Sequence, residues 1–417
     1  MNIRAYEALS RQGEDWTEAF EAAIRALRSQ GGGTLLVPPG LYKAGSLQLY
    51  SDMTLRLEAG AVLRFHDDPA RFPLIDTEFE GTPGKAYRPC VFARDASNVR
   101  VEGQGTLDGN GARWWRAFRA RELPHARPYL VCFERCERVA VEGVRLVNSP
   151  VWTIHPMYCR NVSIRGVTIE NPADSPNTDG INPNGCSFVR ISDCHIDVGD
   201  DCVAIKSGTE DTPSPRPCEN IVITGCTMAR GHGGVVIGSE MSGGVRNVII
   251  SGCVFQNTER GIRLKTRRGR GGAVEGLLVS NVLMDGVMCP FVLNMYYFCG
   301  KGGKERRVWD KTPYPVDAGT PAIRDVRIHQ VTATGATACA GFLYGLAERP
   351  IERVSLVDVT VSMQTGRADN PAMLDGMEPM EARGFFLRNA RDVTFERVQV
   401  VGAVGDRVDA DESVTWR

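Results

Sequence analysis

The sequence predicts an all-β protein, a right-handed parallel β-helix that forms a single domain with an N-terminal capping helix. A four-position apolar pattern recurs along the chain, and glycine recurs at one position within it. Polar clusters recur at nearly the same place in a unit of about 27 residues, which is typical of a solenoid built from stacked coils. Stacking of such coils would bring the polar clusters together.

The apolar residues occupy offsets 0, 2, 5 and 7 of each repeat. Alternation by two indicates a half-buried strand, and the step from offset 2 to offset 5 indicates a bend between two short strands. A bend profits from a residue without a Cβ, and offset 4 holds Gly143, Gly166, Gly225 and Gly252. An antiparallel β-sandwich, the alternative, has no reason to repeat this pattern. The repeats begin at Val139, Val162, Val189, Ile221, Val248, Leu277, Val326, Val354 and Val393.

Residues 1–33 are predicted to cap the first coil, and residues 34–417 to form the coils. The cap contains a helix over about 16–29, with Asp15 and Glu18 as capping residues and Phe20, Ala23, Ile24 and Leu27 as its apolar stripe. The spacing between repeats stretches at three places, and the excess must leave the stack as loops. These long loops are expected at about 103–130, 294–321 and 363–391.

Composition narrows the class of protein. Of 417 residues, 42% are hydrophobic and 24% are charged, with a formal net charge of −1, which argues against general nucleic-acid binding. No apolar run approaches the roughly 18 residues of a membrane span. The opening MNIRAYEALSRQGED lacks the features of a secretory signal, so we expect a cytoplasmic protein. A homo-oligomer is not excluded.

The thirteen cysteines are an odd number, and Cys194, Cys226 and Cys253 share offset 5, which valine fills in other repeats. We therefore expect buried thiols stacked coil on coil and no disulfide framework. No CxxC pair occurs, and no nucleotide or redox motif is present, so neither a metal nor a cofactor is expected.

Four polar clusters follow one another between residues 174 and 272. Asp179, Asp200 and Asp201 fall in adjacent coils, which stack about 4.8 Å apart. Like-charge repulsion should leave a proton on one of these carboxyls, so the three aspartates are suited to acid–base catalysis. The clusters are DSPNTDG (174–180), GDDCVAIKSG (199–208), GHGGVVIGSE (231–240) and RGIRLKTRRGRGG (260–272).

Two cations lie in the last cluster. The strand period of RGIRLKT places Arg263 and Lys265 together on the outer face, where they can receive a carboxylate. The following segment, residues 265–272, is equally well explained as an extension of this basic strip or as a solvated turn.

The order NTDG, GDD, GHG and R-x-K, one per coil, resembles the polygalacturonase family of glycoside hydrolases, family 28, in its bacterial, exo-acting type. GTLLVPPGLY, GTLDGNGARWW, SPVWTIHP and NMYY extend the resemblance over most of the chain. Two positions depart from the family pattern: Asn182 stands where many members carry a second aspartate, and Leu264 replaces the usual isoleucine. Asn182 is expected to alter hydrogen bonding behind Asp179.

The resemblance implies roles for the polar residues. Asp200 is the general acid, Asp179 and Asp201 hold and deprotonate the water, and the anomeric centre is inverted. His232, beside its glycines, is expected to form a hydrogen bond with Asp200. Further substrate contacts are assigned to Trp152, His155, Asn177 and Tyr296, with Tyr297 as the alternative to Tyr296.

We therefore predict a hydrolase of α-1,4-linked galacturonic acid, with an acidic oligo- or polysaccharide as its partner. Exo cleavage is preferred, because a cytoplasmic enzyme meets only imported oligosaccharides and the long loops can wall off one end of a groove. The alternatives are a rhamnogalacturonan-directed galacturonidase, a pectate lyase with Ca²⁺ between Asp179, Asp200 and Asp201, and a saccharide-binding solenoid without turnover.

Overall fold

A computed structural model describes residues 1–11 and 13–417. The chain divides into two compact units, residues 1–200 and 201–417.

Within residues 1–11 and 13–200, the first unit contains two short 3-10 helices, two α-helices and eighteen strands. These are η1 Ile3–Leu9, α1 Thr17–Ser29, β1 Gly33–Val37, β2 Gly40–Ala44, β3 Leu47–Leu49, β4 Met53–Leu57, β5 Ala61–Phe65, η2 Pro69–Arg71, β6 Leu74–Phe79, β7 Thr82–Tyr87, β8 Val91–Arg94, β9 Ser97–Gly103, β10 Thr106–Asp108, α2 Ala112–Arg119, β11 Val131–Glu134, β12 Glu137–Glu142, β13 Arg145–Val147, β14 Ile154–Met157, β15 Arg160–Arg165, β16 Thr168–Glu170, β17 Ser187–Ser192 and β18 His195–Val198.

Sixteen of these strands stack in three parallel ladders, one on each face of a β-helix. The ladders run β1–β4–β9–β12–β15–β17, β2–β5–β10–β13–β16–β18 and β3–β8–β11–β14. The register pairs Val139 with Val162 and Val162 with Val189, so the predicted repeat positions lie directly above one another. Their side chains are buried and form the core of the coils.

The predicted N-terminal helix is present as α1. Its stripe of Phe20, Ala23, Ile24 and Leu27 is buried, as expected. The cap differs from the prediction, because the N-cap residue is Trp16 and makes no side-chain capping bond. Asp15 instead accepts the backbone N–H of Thr17 from one residue further back, at 3.0 Å.

The second unit contains one short α-helix and fifteen strands. These are β19 Asp201–Ile205, β20 Cys218–Thr224, β21 Thr227–Arg230, β22 Gly233–Gly238, β23 Val245–Ser251, β24 Val254–Gln256, β25 Arg260–Lys265, β26 Ala273–Asp285, β27 Cys289–Asn294, α3 Arg306–Trp309, β28 Ala322–Ala336, β29 Cys339–Tyr344, β30 Ile351–Met363, β31 Arg383–Arg388, β32 Ala390–Val401 and β33 Val408–Ala410.

Parallel ladders organise this unit as well. One runs β20–β23–β26–β28–β30–β32, a shorter one runs β21–β24–β26, and the third runs β19–β22–β25–β27–β29–β31–β33. From β26 onward, two faces are formed by one long bent strand per coil. The right-handed parallel β-helix is confirmed, whereas the prediction that all coils form a single domain stays a prediction.

The bend at offset 4 has a left-handed backbone conformation along the repeats. Gly143, Gly166, Gly225 and Gly252 have φ between 61° and 72°, as the sequence pattern predicts. Where glycine is absent, other residues adopt the same conformation; Asp193, for example, has φ 56°. A second left-handed position, just before offset 0, was not predicted, although asparagine recurs there at positions 98, 161, 220 and 247.

The long loops are shorter and more structured than expected. The 103–130 region holds β10 and α2, and the 294–321 region holds α3. The prediction of a loop over 363–391 is wrong at its C-terminal end, because β31 pairs with β29 and belongs to the stack. The β6–β7 antiparallel hairpin was not predicted at all.

All thirteen cysteines are free thiols, and all but Cys299 are buried. Cys194, Cys226 and Cys253 are among the buried ones, as their place in the repeat predicts. In the described part of the chain, none of the helices combines the length and apolar character needed to cross a membrane.

The left-handed bends lead to a stability prediction. Gly252 has φ +64°, and a Cβ added there would lie 3.9 Å from its nearest neighbour. There is room for a side chain, but the left-handed backbone conformation is unfavourable for residues other than glycine. Gly252→Val should lower the free energy of unfolding by about 1–2 kcal/mol. Gly252→Asn is the matched control and should lose less, because asparagine tolerates this conformation. Urea unfolding midpoints measure both; equal losses would contradict the backbone explanation.

Candidate active site

In the first unit, Asp179 lies in the segment between β16 and β17 and is 3% exposed. Its Oδ2 accepts a hydrogen bond from Asn182 Nδ2 at 2.7 Å, and its carbonyl accepts the backbone N–H of Thr153 at 2.9 Å. The amide at position 182 therefore donates to the carboxylate, where a second aspartate would repel it. This confirms the expected effect of Asn182 behind Asp179.

Asp200 ends the first unit and is half-buried. Asp179 and Asp200 each offer a carboxylate oxygen, and these oxygens lie within 4.8 Å of one another. Only glycine fits immediately before Asp200, since a Cβ on Gly199 would lie 2.6 Å from the carbonyl oxygens of Pro172 and Ser175. The two carboxyls share one small region, as the stacking of coils predicts.

An arginine that the sequence pattern did not single out holds this region together. Arg127 is 3% exposed and donates to the carbonyls of Pro150 at 2.9 Å and Pro176 at 2.8 Å, and to Asn177 Oδ1 at 2.7 Å. Burial lowers the pKa of Arg127 to about 10, while nearby acids, Asp179 and Asp200 among them, act in the opposite direction. Asn177 thus orients Arg127. The sequence indicated that the 103–130 loop is basic. It did not indicate which arginine of that loop would be buried.

Trp152 and His155, predicted as substrate contacts, belong to a buried cluster of rings. Trp152 is 3% exposed and stacks on Tyr129 at 5.4 Å between ring centroids. His155 is 1% exposed, and its Nδ1 lies 2.7 Å from the carbonyl oxygen of Asn182. Both rings lie behind the Asp179 segment, and their role as substrate contacts stays a prediction. Phe79, from the unpredicted β6–β7 hairpin, is half-buried and stacks over Tyr129 and Trp152.

In the second unit, Asp201 forms an ion cluster with the two predicted cations. Lys265 Nζ lies 2.8 Å from Asp201 Oδ2, and Arg263 Nη1 lies 3.3 Å from Oδ1. All three side chains are almost fully buried, and Ile262 and Leu264 point into the core between them, as predicted. Burial by itself would raise the pKa of Asp201, but Lys265 and Arg263 outweigh it and hold the pKa well below its usual range.

Asp201 and Arg263 meet although the strands do not hold them in register. Asp201 in β19 pairs with Gly233 in β22, whereas Arg263 in β25, one coil further on, pairs with Val236. A Cβ on Gly233 would lie 3.3 Å from Asp201 Oδ1 and 3.6 Å from Arg263 Cδ. The glycine leaves the space through which the carboxylate and the guanidinium meet across the intervening coil.

Arg263 keeps unused hydrogen-bonding capacity. Its Nη2 is buried and has no hydrogen-bond partner among the residues that the structure describes. A buried donor without a partner costs free energy, and such groups recur where a ligand completes the bonding. This nitrogen is suited to an incoming carboxylate oxygen.

Tyr296 and Tyr297 have different surroundings. Tyr296 is fully buried, and its ring packs against Tyr344 and the ammonium of Lys311. Tyr297 is 9% exposed, with Lys265 Nζ 5.2 Å and Arg263 Cζ 5.8 Å from its ring centroid. The alternative, Tyr297, is the tyrosine beside the cation pair.

His232 lies in the turn before β22, and its side chain is 47% exposed. Its Nδ1 lies 3.1 Å from Oε2 of Glu259, an acid that the sequence pattern did not single out. In the sequence, Glu259 immediately precedes Arg260 in the coil that follows His232, and this position was the available indication of the pair. The hydrogen bond between His232 and Asp200 stays a prediction.

The arginines that follow the cation pair do not form an exposed strip. Arg267, Arg268 and Arg270 are all buried. Arg267 and Arg270 bind Glu210, and Arg268 binds Glu348 at 2.5 Å. Neither the basic strip nor the solvated turn is correct, because these side chains pair internally and anchor the loop at 301–312.

Residues 364–382, here called the crossing segment, pass over the outer face of the β25–β27 sheet. Arg260 donates to the carbonyls of Pro371 at 2.8 Å and Asn370 at 3.1 Å. Asn294, in register with Lys265, donates to the carbonyl of Met373 at 3.3 Å, and Tyr297 forms an antiparallel bridge with Leu374. The face that carries the cation pair is therefore covered one coil beyond it.

Known proteins similar to this chain point to one family. The family model of glycosyl hydrolases family 28 matches residues 34–373. A probable polygalacturonase of Vitis vinifera is 35% identical over 359 residues, which are 83% of this chain and 71% of that protein. The family match therefore extends over most of the chain and includes all four polar clusters.

Solved structures extend the comparison to three dimensions. A hyperthermoactive exopolygalacturonase of Thermotoga maritima has a TM-score of 0.82 at 30% identity, covering 97% of this chain and 92% of that chain. A family 28 exopolygalacturonase of Yersinia enterocolitica has a TM-score of 0.83 at 19% identity, covering 100% of this chain and 78% of that chain, and this likeness supports the fold alone. From the family match and the Vitis relative together, the chain belongs to family 28 of the glycosyl hydrolases and is a glycosidase.

Proposed function

We propose that this protein hydrolyses α-1,4-linked galacturonic acid, releasing sugars from a chain end with inversion at the anomeric carbon. The observation that carries the proposal is the buried cation pair Arg263 and Lys265. A neutral sugar has no charged group that would bind to two buried cations, whereas each galacturonic acid unit carries a carboxylate that would. Arg263 Nη2 has a donor to spare for it.

Charge separates the roles of the carboxyls. Lys265 and Arg263 stabilise the ionised form of Asp201, which suits it to act as a base. Asp179 and Asp200 are close enough that ionising both is costly, so one of them retains a proton. Asn182 donates to Asp179 and favours its ionised form, so we assign to Asp200 the proton that passes to the leaving glycosidic oxygen. Asp179 and Asp201 then orient and deprotonate the water.

Inversion is inferred from the family resemblance and not from distance. Retaining glycosidases hold their two carboxyls about 5 Å apart and inverting ones about 6.5–9.5 Å. The oxygens of Asp179 and Asp200 lie within 4.8 Å, so this rule alone would favour retention. We nevertheless assign inversion, because in our proposal Asp179 activates the water and does not attack the anomeric carbon as a nucleophile.

Exo cleavage is supported by the segments that cover the outer face within each unit. In the second unit the crossing segment lies one coil beyond Arg263 and Lys265. In the first unit the β6–β7 hairpin packs its Phe79 over Tyr129 and Trp152. A long polymer needs an open groove, whereas a chain end fits a groove with a wall.

Membership in a family of glycosyl hydrolases argues against both the pectate lyase and the saccharide-binding protein without turnover. The charge state of Asp201 also disfavours a Ca²⁺ site, because both of its oxygens already face cations, Lys265 and Arg263. Calcium takes about six to eight oxygen ligands. A rhamnogalacturonan-directed galacturonidase has the same need for a carboxylate receptor and is distinguished by its products.

Asp200→Asn tests the general acid. The variant should lose about 10²–10⁴-fold in kcat, because an amide cannot donate the proton to the leaving oxygen, while oligogalacturonate binding persists. Initial rates and equilibrium binding measure the two effects. Asp193→Asn, an exposed aspartate on a left-handed bend, is the matched control and should keep full activity. Full activity of Asp200→Asn would remove Asp200 from the chemistry.

Lys265→Gln tests the charge assignment of Asp201. Lys265 favours the ionised carboxylate, so its removal raises the pKa of Asp201, and the acid limb of the kcat/KM profile should move to higher pH by about one unit or more. KM should also rise, since the substrate carboxylate loses a partner. The exposed Lys43→Gln serves as control. An unmoved acid limb would show that Asp201 is not the base.

Product analysis tests the mode of attack. Digestion of polygalacturonate should release free galacturonate or another single short product from the first time points, and NMR should detect the β-anomer first, as inversion requires. Early accumulation of mid-sized oligomers would contradict exo cleavage. Faster release from rhamnogalacturonan fragments than from galacturonan would select the alternative substrate.

A further inference from the structure

His232 has a carboxylate partner from the next coil. Its Nδ1 lies 3.1 Å from Glu259 Oε2. The backbone fixes this pairing, because the N–H of Glu259 donates to the carbonyl of Gly231 at 3.0 Å, and Gly231 immediately precedes His232. Two adjacent turns therefore hold the acid and the imidazole side by side.

We propose that Glu259 is a positioning residue that sets the tautomer and the ring orientation of His232. A carboxylate on Nδ1 keeps the proton on that nitrogen, and Nε2, on the opposite edge of the ring, is then the acceptor of the neutral imidazole. The assignment deepens the proposed function, on which it rests, by stating which ring nitrogen of His232 serves the substrate or its acid.

Glu259 is more than one half of an exposed ion pair. Exposed pairs contribute little, and the side chains of His232 and Glu259 are 47% and 46% exposed. Arg260 Nη1, however, binds the same Oε2, and the Arg260 side chain is only 6% exposed. This second bond fixes the carboxylate from the protein side, so it cannot rotate freely away from the imidazole.

The surrounding charges favour an ionised Glu259. Burial would raise the pKa of Glu259, but His232 and Arg260 outweigh it and lower the pKa to about 2. Arg263 and Cys289 are the further titratable groups that act on Arg260. Glu259 thus remains a carboxylate across the range in which a histidine titrates.

Arg260 links this pair to the crossing segment. The same guanidinium that binds Glu259 donates to the carbonyls of Pro371 and Asn370. A simpler role for Glu259 follows from this: it could serve only to orient Arg260 and so hold the crossing segment. The experiment must separate this anchoring role from positioning of His232.

Imidazole NMR makes the separation. Selectively ¹⁵N-histidine-labelled protein contains six histidines, and His232→Gln assigns the signal of interest. In the unaltered protein, neutral His232 should carry its proton on Nδ1. In Glu259→Ala, which removes the acceptor, the proton should move to Nε2, and the titration midpoint of His232 should fall by about one pH unit, because the carboxylate no longer stabilises the imidazolium. The Nδ1 tautomer in Glu259→Ala would overturn the proposal.

Kinetics supply the second readout. Glu259→Gln should lower kcat about 10–100-fold with little change in KM, the usual cost of removing an orienting partner, and Glu259→Asp should restore part of the activity and the Nδ1 tautomer. Arg260→Gln loosens the crossing segment and should change KM or the product pattern more than the tautomer. Glu275→Gln, which breaks an ion pair with Arg324, is the matched control and should change neither.

The outcomes are separable from those for the proposed function. If Glu259 only anchors Arg260, Glu259→Ala and Arg260→Gln will share one phenotype and His232 will keep its tautomer, which overturns the inference. If galacturonan is not the substrate, the tautomer and titration still report on Glu259. Should Glu259→Ala fail to fold, Glu259→Gln, which also removes the charge, provides the same titration, and an unchanged midpoint together with unchanged kcat would count against the proposal.

Discussion

In-register hydrogen bonding between successive parallel coils is the constraint on which the structure of each unit depends. It places equivalent side chains above one another at the spacing of neighbouring strands, about 4.8 Å. In the second unit the fixed ladder places Gly233 between Asp201 and Arg263, so that Asp201 bonds to Arg263 and Lys265, which are 62 and 64 residues away in sequence and out of register with it. No flexible loop is needed to assemble this cluster, and its geometry is as rigid as the ladder that carries it.

The charges of this rigid cluster stabilise one another. Buried charges are costly unless they are paired, and Asp201, Arg263 and Lys265 are paired with one another. The pairing leaves one nitrogen of Arg263 unsatisfied among the described residues, which is stable only if a ligand or water completes it. Family membership and this unsatisfied donor point to the same class of substrate by independent routes, one evolutionary and one physical.

The sequence predicted the positions of the coils well, but it predicted the side-chain contacts of the surrounding residues poorly. The repeat was readable because the core face of a strand alternates with period two and because the bends need left-handed residues. Arg127, Glu259 and Tyr297 were missed or ranked second, since each acquires its role from a partner in another coil or loop. Tyr296 and Tyr297 are neighbours in the chain, and only packing places the first against Tyr344 and Lys311 and the second beside Arg263 and Lys265.

By itself the sequence determined the fold class, the stacked positions and the identity of the acidic and basic groups, because these depend on local periodicity and residue chemistry. The tertiary structure decided which groups meet. It buried Trp152, His155 and the arginines at 267, 268 and 270, and it laid the crossing segment over the cation face. Those outcomes depend on the paths of irregular segments, whose contacts are long-range and leave no periodic signal in the chain.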